Sequence, residues 1–184
     1  GDTKYRDING DGQINGMDVA IIGNGAPDFI WGLDNTVSYQ GFELNIFFQS
    51  MTGQDVFNIQ RAVMLGTSGD VGTPTHADIL DRWTPENQDT DIPAFSSTNF
   101  QVPEDSRFVE DASFVRLRNI RLGYTFTPDV LGSSYIKGLT IFASGQNLVT
   151  FTDYKGYDPE VSGADVGGGQ TSNVNLGIDN GTYP

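Results

Sequence analysis

The chain has no cysteine and a single histidine, and its 10 Lys and Arg stand against 24 Asp and Glu. Without cysteine there is no disulfide scaffold, no zinc–thiolate site and no thiol chemistry. A formal net charge of −14 argues against unaided nucleic-acid binding, because neutralising phosphates requires clustered cations. No apolar run approaches the ~18 residues that a membrane helix needs, so any crossing of a bilayer would have to be made by strands. Charged residues make up only 18% of the chain and Gly supplies 23 of its 184 residues. That composition is neither disordered nor typically helical, and with the aromatics in strand-like runs it points to an all-β class.

The first informative stretch is DINGDGQINGMD, Asp7 to Asp18. Asp7, Asn9 and Asp11 occupy the first, third and fifth places of a calcium loop. Gly12 takes the sixth, where the chain must turn sharply, Gln13 offers its carbonyl at the seventh, and Asp18 stands at the twelfth. Calcium takes six to eight oxygens, and this spacing wraps them around one point. Asp in place of Glu at the twelfth position predicts weak binding. An Asn/Gly/Asp-rich turn that holds no ion has the same composition.

Beyond this loop the chain alternates. Phe29, Trp31, Leu33, Val37 and Tyr39 point one way, and Gly32, Asp34, Thr36, Ser38 and Gln40 the other. After Gln40-Gly41 the alternation resumes, with Phe42, Leu44, Ile46 and Phe48 against Glu43, Asn45 and Gln49, and with Phe47 interrupting the polar side. These two strands read as a hairpin over 29–49. Residues 50–112 show little period, with short helices expected near 58–65 and 78–85, the latter ended by Pro85. A third strand covers Phe114 to Phe126. Its parity switches between Val115/Leu117 and Ile120/Leu122, which places a bulge near Arg118-Asn119. A fourth strand starts at Leu139, where Leu139, Ile141 and Ala143 oppose Thr140, Phe142, Ser144 and Gln146. The second hairpin therefore spans 113–151, and 152–184 reads as a loop.

Connection lengths run short (40–41), long (about 50–112), medium (about 127–138) and long again. Transmembrane β-barrels show this rule, with short turns on the periplasmic side, long loops outside, an apolar band with aromatic ends and a polar lumen. Under it, the strands from Phe29 and Phe114 run inward and those from Phe42 and Leu139 outward, so 1–28, 50–112 and 152–184 are extracellular. Alternation alone is equally compatible with a soluble sandwich whose apolar faces meet. Four strands cannot close a barrel, so in a membrane this chain is expected to be a fragment.

Several stretches resemble the C-terminal part of SusC/RagA-like TonB-dependent outer-membrane transporters of the Bacteroidetes type. They are GDTKYRDINGDGQING, IIGNGAPDFIWGLDNTVSYQGFELNIFFQSMTGQDVFN, RWTPENQ, SRFVEDASFVRLRNIRLGYTF, FASGQNLVTFTDYKGYDPEV and GIDNGTYP. The resemblance implies a barrel portion lacking its last strand, in a protein of the outer membrane. It further implies import of oligosaccharides or peptides with a SusD-like surface lipoprotein. TonB would supply the energy, through an N-terminal part that this chain does not contain.

By alternation, the candidate lumen residues are Asp34, Glu43, Asn45, Arg121 and Gln146. Trp83, Tyr154 and Tyr157 are candidates for stacking on a ligand, although loop aromatics more often pack among themselves. His76 has no nucleophile pattern around it, and Gly167-Gly168-Gly169 opens no helix. The pairs Glu104-Asp105 and Glu110-Asp111 are sequence neighbours in a loop, a poor basis for glycosidase carboxylates. No enzyme is expected. The rival reading is a secreted calcium-binding β-domain, a carbohydrate-binding or dockerin-like module, although no second calcium segment is present.

Overall fold

The computed structural model of the chain describes residues 4–65, 76–94, 106–132, 135–136, 138–160 and 178–179. They form two units, one made of 27–54 and 112–154, the other of 1–26, 55–111 and 155–184.

The first unit is a four-stranded antiparallel sheet in the order β1-β2-β5-β6, with β1 at Phe29–Tyr39, β2 at Phe42–Thr52, β5 at Phe114–Phe126 and β6 at Leu139–Thr152. β1 and β2 meet in a two-residue turn in which Gln40 (φ 47°) and Gly41 (φ 89°) are both left-handed. That is the geometry whose twist matches the flanking strands. Gln40 therefore belongs to the turn and not to the polar face assigned to it by alternation. The β5–β6 connection leaves from the same end of the sheet and holds a single helical turn, α2 (Pro128–Leu131), closed by left-handed Gly132. Phe29, Thr52, Phe114 and Thr152 lie together at the opposite end, from which all the long connections depart.

The expected bulge is present. Phe47 pairs with Asn119 and Phe48 with Leu117, leaving Arg118 as the extra residue of β5. A second irregularity escapes the sequence pattern. On β6, Asn147 and Leu148 lie between Gln146, which pairs with Asn119, and Val149, which pairs with Leu117, and Asn147 is left-handed at φ 50°. The shift returns Val149 and Phe151 to the apolar face. The first hairpin also runs three residues further than the pattern indicated, to Thr52.

The second unit contains a small sheet in the order β4-β3-β7, with β3 at Asp55–Asn58, β4 at Val109–Asp111 and β7 at Ile178–Asp179, and with β7 parallel to β3. Alternation over 50–112 did not reveal it, because strands of two to four residues carry no period. Helix α1 (Ile59–Leu65) forms where expected. The segment near 78–85 is a 3-10 turn over Ala77–Asp81 that ends at Arg82, before Pro85. Ala62, Leu65 and Phe108 are buried together with Phe57, Ile79 and Ile92 around them, and the Phe57 and Phe108 rings meet edge to face at 6.5 Å. Among the described residues no helix is long and apolar enough to cross a membrane.

Candidate functional site

Pairing register decides what each face of the large sheet presents, since directly opposed residues share a face. The rows Trp31–Ser50–Val115–Phe151, Val37–Leu44–Leu122–Ala143 and Tyr39–Phe42–Tyr124–Ile141 lie on one face. Most of that face is exposed, with Phe29 at 71%, Leu33 at 50% and Ile141 at 60%, so it is not the core of a sandwich within this chain. Aromatics collect at its two ends. Phe29, Trp31 and Phe151 mark one; at the other, the Phe42 and Tyr124 rings stand 4.5 Å apart and Tyr124 and Phe126 4.6 Å. From Phe29 to Tyr39, ten steps of about 3.3 Å tilted by about 40° span roughly 25 Å, the height of the apolar band of a transmembrane barrel.

The other face carries a connected polar ladder. Asn45 Nδ2 donates to Asp34 Oδ1 at 2.6 Å and to Thr36 Oγ1 at 3.0 Å, and Asn119 Nδ2 donates to Asn45 Oδ1 at 3.2 Å. Arg121 Nη1 reaches Glu43 Oε1 at 3.0 Å, while its guanidinium stands 4.6 Å from the centre of the Phe142 ring. Gln146 sits opposite Asn119 in register. All five residues chosen by alternation, Asp34, Glu43, Asn45, Arg121 and Gln146, thus lie on one face. Two arginines that alternation did not single out extend it. Arg118, turned to this side by the bulge, donates to Gln49 Oε1 at 2.6 Å and to Asn147 Oδ1 at 3.0 Å, and Arg116 donates to Thr150 Oγ1 at 2.8 Å. The parity break at Arg118-Asn119 was the signal that could have found Arg118.

In the second unit, the Asp7–Asp18 segment is wired by its own side chains. Asp7 accepts the amides of Gly10 (2.6 Å) and Gly12 (2.8 Å), and Asp11 accepts that of Gln13 (2.8 Å). Asn9 Nδ2 donates to Asp11 Oδ2 at 3.0 Å. Asp18 closes the loop by accepting from Asn15, Ile8 and Asn9. Those backbone amides, Asn15 foremost and then Ile8, hold its carboxyl below the usual carboxylate range. Among the described residues no three acidic or histidine side chains converge as a ready cation cage.

The three candidate stacking aromatics differ in exposure. Tyr154 is buried (6%), Tyr157 is exposed (73%), and Trp83 is half-buried on the wall of a cleft of about 820 Å³ within the second unit. His76 caps the Ala77–Asp81 turn, its Nδ1 accepting the Asp78 amide at 3.2 Å. Glu110 is tied to Arg61 at 3.4 Å and to the Lys155 amide at 3.1 Å, joining three segments of the second unit. Glu104, Asp105, Gly167, Gly168 and Gly169, and most of 152–184, lie outside the described residues.

No known family profile matches the chain. The "TonB-dependent receptor P3" of Formosa agariphila is 38% identical over 184 residues, all of this chain and 18% of that protein. "TonB-dependent receptor SusC" of Bacteroides thetaiotaomicron is 27% identical over 90% of this chain and 16% of its own length. Among solved structures, the RagAB peptide importer in its open-open state superposes with a TM-score of 0.70 at 29% identity, over 80% of this chain and 16% of that one.

This chain is a stretch of a SusC/RagA-like TonB-dependent receptor.

It spans about a fifth or less of the curated relatives it matches. Within the SusC/RagA-like frame the all-β reading holds, and the alternating faces are those of barrel strands. The relatives and structural neighbours are named as receptors and as an importer.

Proposed function

We propose that the intact protein imports oligosaccharides or peptides across the outer membrane, with energy from TonB and with a SusD-like surface lipoprotein delivering ligand to the outer loops. The four strands would contribute lipid-facing wall on the Phe29/Leu33/Ile141 side and lumen on the Asp34/Asn45/Arg121 side. The observation that supports this is the register itself, which separates an exposed apolar face from a hydrogen-bonded polar one across all four strands. A soluble domain would be expected to cover the first face, because an exposed apolar area this large is rare on a monomer. No bond-making chemistry belongs to this role.

The test is deletion of the coding gene in the native bacterium, followed by uptake of labelled peptides and labelled oligosaccharides. Uptake of one class should be lost, a protonophore should abolish it in the wild type, and the receptor should co-purify with a surface lipoprotein. Unchanged uptake together with a soluble or secreted protein would sink the reading and favour the calcium-binding module.

We also infer that the Asp7–Asp18 segment takes calcium through Asp7, Asn9, Asp11, the Gln13 carbonyl and Asp18, and that the ion stiffens an outer loop. The closed twelve-residue loop supports this, with its two ends held together by the Ile8 and Asn9 amides donating to the Asp18 carboxylate. Affinity should fall in the weak extracellular range, a Kd of about 10⁻⁴–10⁻³ M. Terbium excited through neighbouring Tyr5 should luminesce, be displaced by calcium, and fall silent in an Asp7→Asn/Asp11→Asn variant. Absence of signal in the unaltered receptor would leave only an Asx-rich turn.

A further inference from the structure

The cleft beside Trp83 is built from three stretches of the second unit, the third contributing Ser106 and Arg107. Ile14 and Ile22 come from the N-terminal segment, and Trp83 and Ile92 from the segment after the 3-10 turn. The Trp83 amide donates to the Ile92 carbonyl at 2.8 Å, which fixes the indole and the isoleucine relative to each other. At about 820 Å³ it lies within the size range of small-molecule and peptide sites.

Its charge is unlike that of the rest of the molecule. The chain has only 10 Lys and Arg against 24 Asp and Glu, yet Lys4, Arg6 and Arg107 all border this one cleft. Lys4 and Arg6 are exposed, and among the described residues no ion pair engages either of them. Two carboxylates, Asp18 and Asp91, are also present. Asp18 accepts the amides of Ile8, Asn9 and Asn15, which turn its carboxylate toward its own loop. Three cations against two carboxylates give the cleft a small positive balance in a protein that is otherwise strongly anionic.

We propose that this cleft binds apolar ligands through a free carboxylate, and that a short peptide with an intact C-terminus is the class it fits. A carboxylate would sit between Lys4 and Arg6, where a guanidinium can donate to it in bidentate fashion, with apolar side chains against Ile14, Ile22 and Ile92. Branched aliphatic walls favour peptide side chains, and Trp83 and Tyr5 are the aromatic side chains that border the cleft among them. The inference rests on the import reading in one respect, since it names what the outer loops capture.

The experiment uses the intact receptor in detergent and isothermal titration with three probes: an apolar tetrapeptide acid, the same peptide as its C-terminal amide, and a uronate trisaccharide. The acid should bind at least tenfold more tightly than the amide, and a Lys4→Gln/Arg6→Gln variant should lose that difference while keeping amide binding. Trp83→Ala should weaken acid and amide alike. Equal affinity for acid and amide, or tighter binding of the uronate, would overturn the proposal. A migration shift between unboiled and boiled samples, retained in each variant, shows that the barrel is folded. Peptide uptake that persists with no acid preference would sink the cleft proposal while leaving the import reading intact.

Discussion

Leu33→Arg is expected to destabilise the receptor by about 2–4 kcal/mol, the cost of an arginine on the lipid side of a barrel near the bilayer midplane. Leu33 lies in mid-strand on β1, pairs with Phe48 and is 50% exposed within this chain. Little of the loss would therefore come from contacts inside the sheet, and most of it from forcing a cation against hydrocarbon. The matched control is Thr36→Arg, three residues along and on the polar face. Thr36 only accepts one exposed hydrogen bond, from Asn45 Nδ2 at 3.0 Å, and its replacement should cost under about 1 kcal/mol. The readout is the fraction of unboiled protein that keeps folded migration as urea is raised, on receptor assembled in vesicles. Equal sensitivity of the two variants would mean that the apolar face does not meet lipid.

Gly53→Ala is the second large effect. Gly53 stands between β2 and β3 at φ +84°, where an L-residue costs about 1–2 kcal/mol from contact of its Cβ with the backbone. An added Cβ would also clash with Asp28 Oδ2 and lie 2.8 Å from Asp28 Cβ. Swinging the carboxylate away relieves the first contact but not the second, so the backbone at Asp28 must move. It is held there by the bond from its amide to the Thr52 carbonyl at 2.9 Å. Together these effects should reach about 2–5 kcal/mol, counting overpacking at about 1–3 kcal/mol. Making the same change in an Asp28→Gly background separates the two causes. It should recover the clash and leave the conformational cost, which would appear as a coupling energy in a double-mutant cycle. An additive result would remove Asp28 from the explanation.

Much of the wall was legible because its signals are local. Strand alternation needs only neighbouring residues, and Phe29–Tyr39 and Phe114–Phe126 emerge with the boundaries the pattern gives. The parity switch at Arg118-Asn119 marked a bulge without any knowledge of a partner strand. The second unit was much less legible. Its small sheet joins residues near 56, 110 and 178 through strands too short to carry a period. The bond between the Asn24 amide and Asp55 Oδ2 at 2.9 Å, and the Arg61 clamp on Asp78 and Glu110, likewise leave no pattern in the chain. The β6 irregularity was missed because it leaves parity unchanged, with Ile141 and Ala143 before it and Val149 and Phe151 after it all at odd positions on the apolar face.

By itself the sequence determined that these strands have one apolar and one polar face, and where the chain turns between them. Side-chain alternation and left-handed turn positions are properties of a few consecutive residues. Only the tertiary structure decided which polar groups meet. Glu43 and Arg121 are 78 residues apart, and Asn45 and Asn119 are 74 apart. Their contacts follow from the β2–β5 register, and beyond the bulge a slip of one residue would place a different side chain opposite each of them.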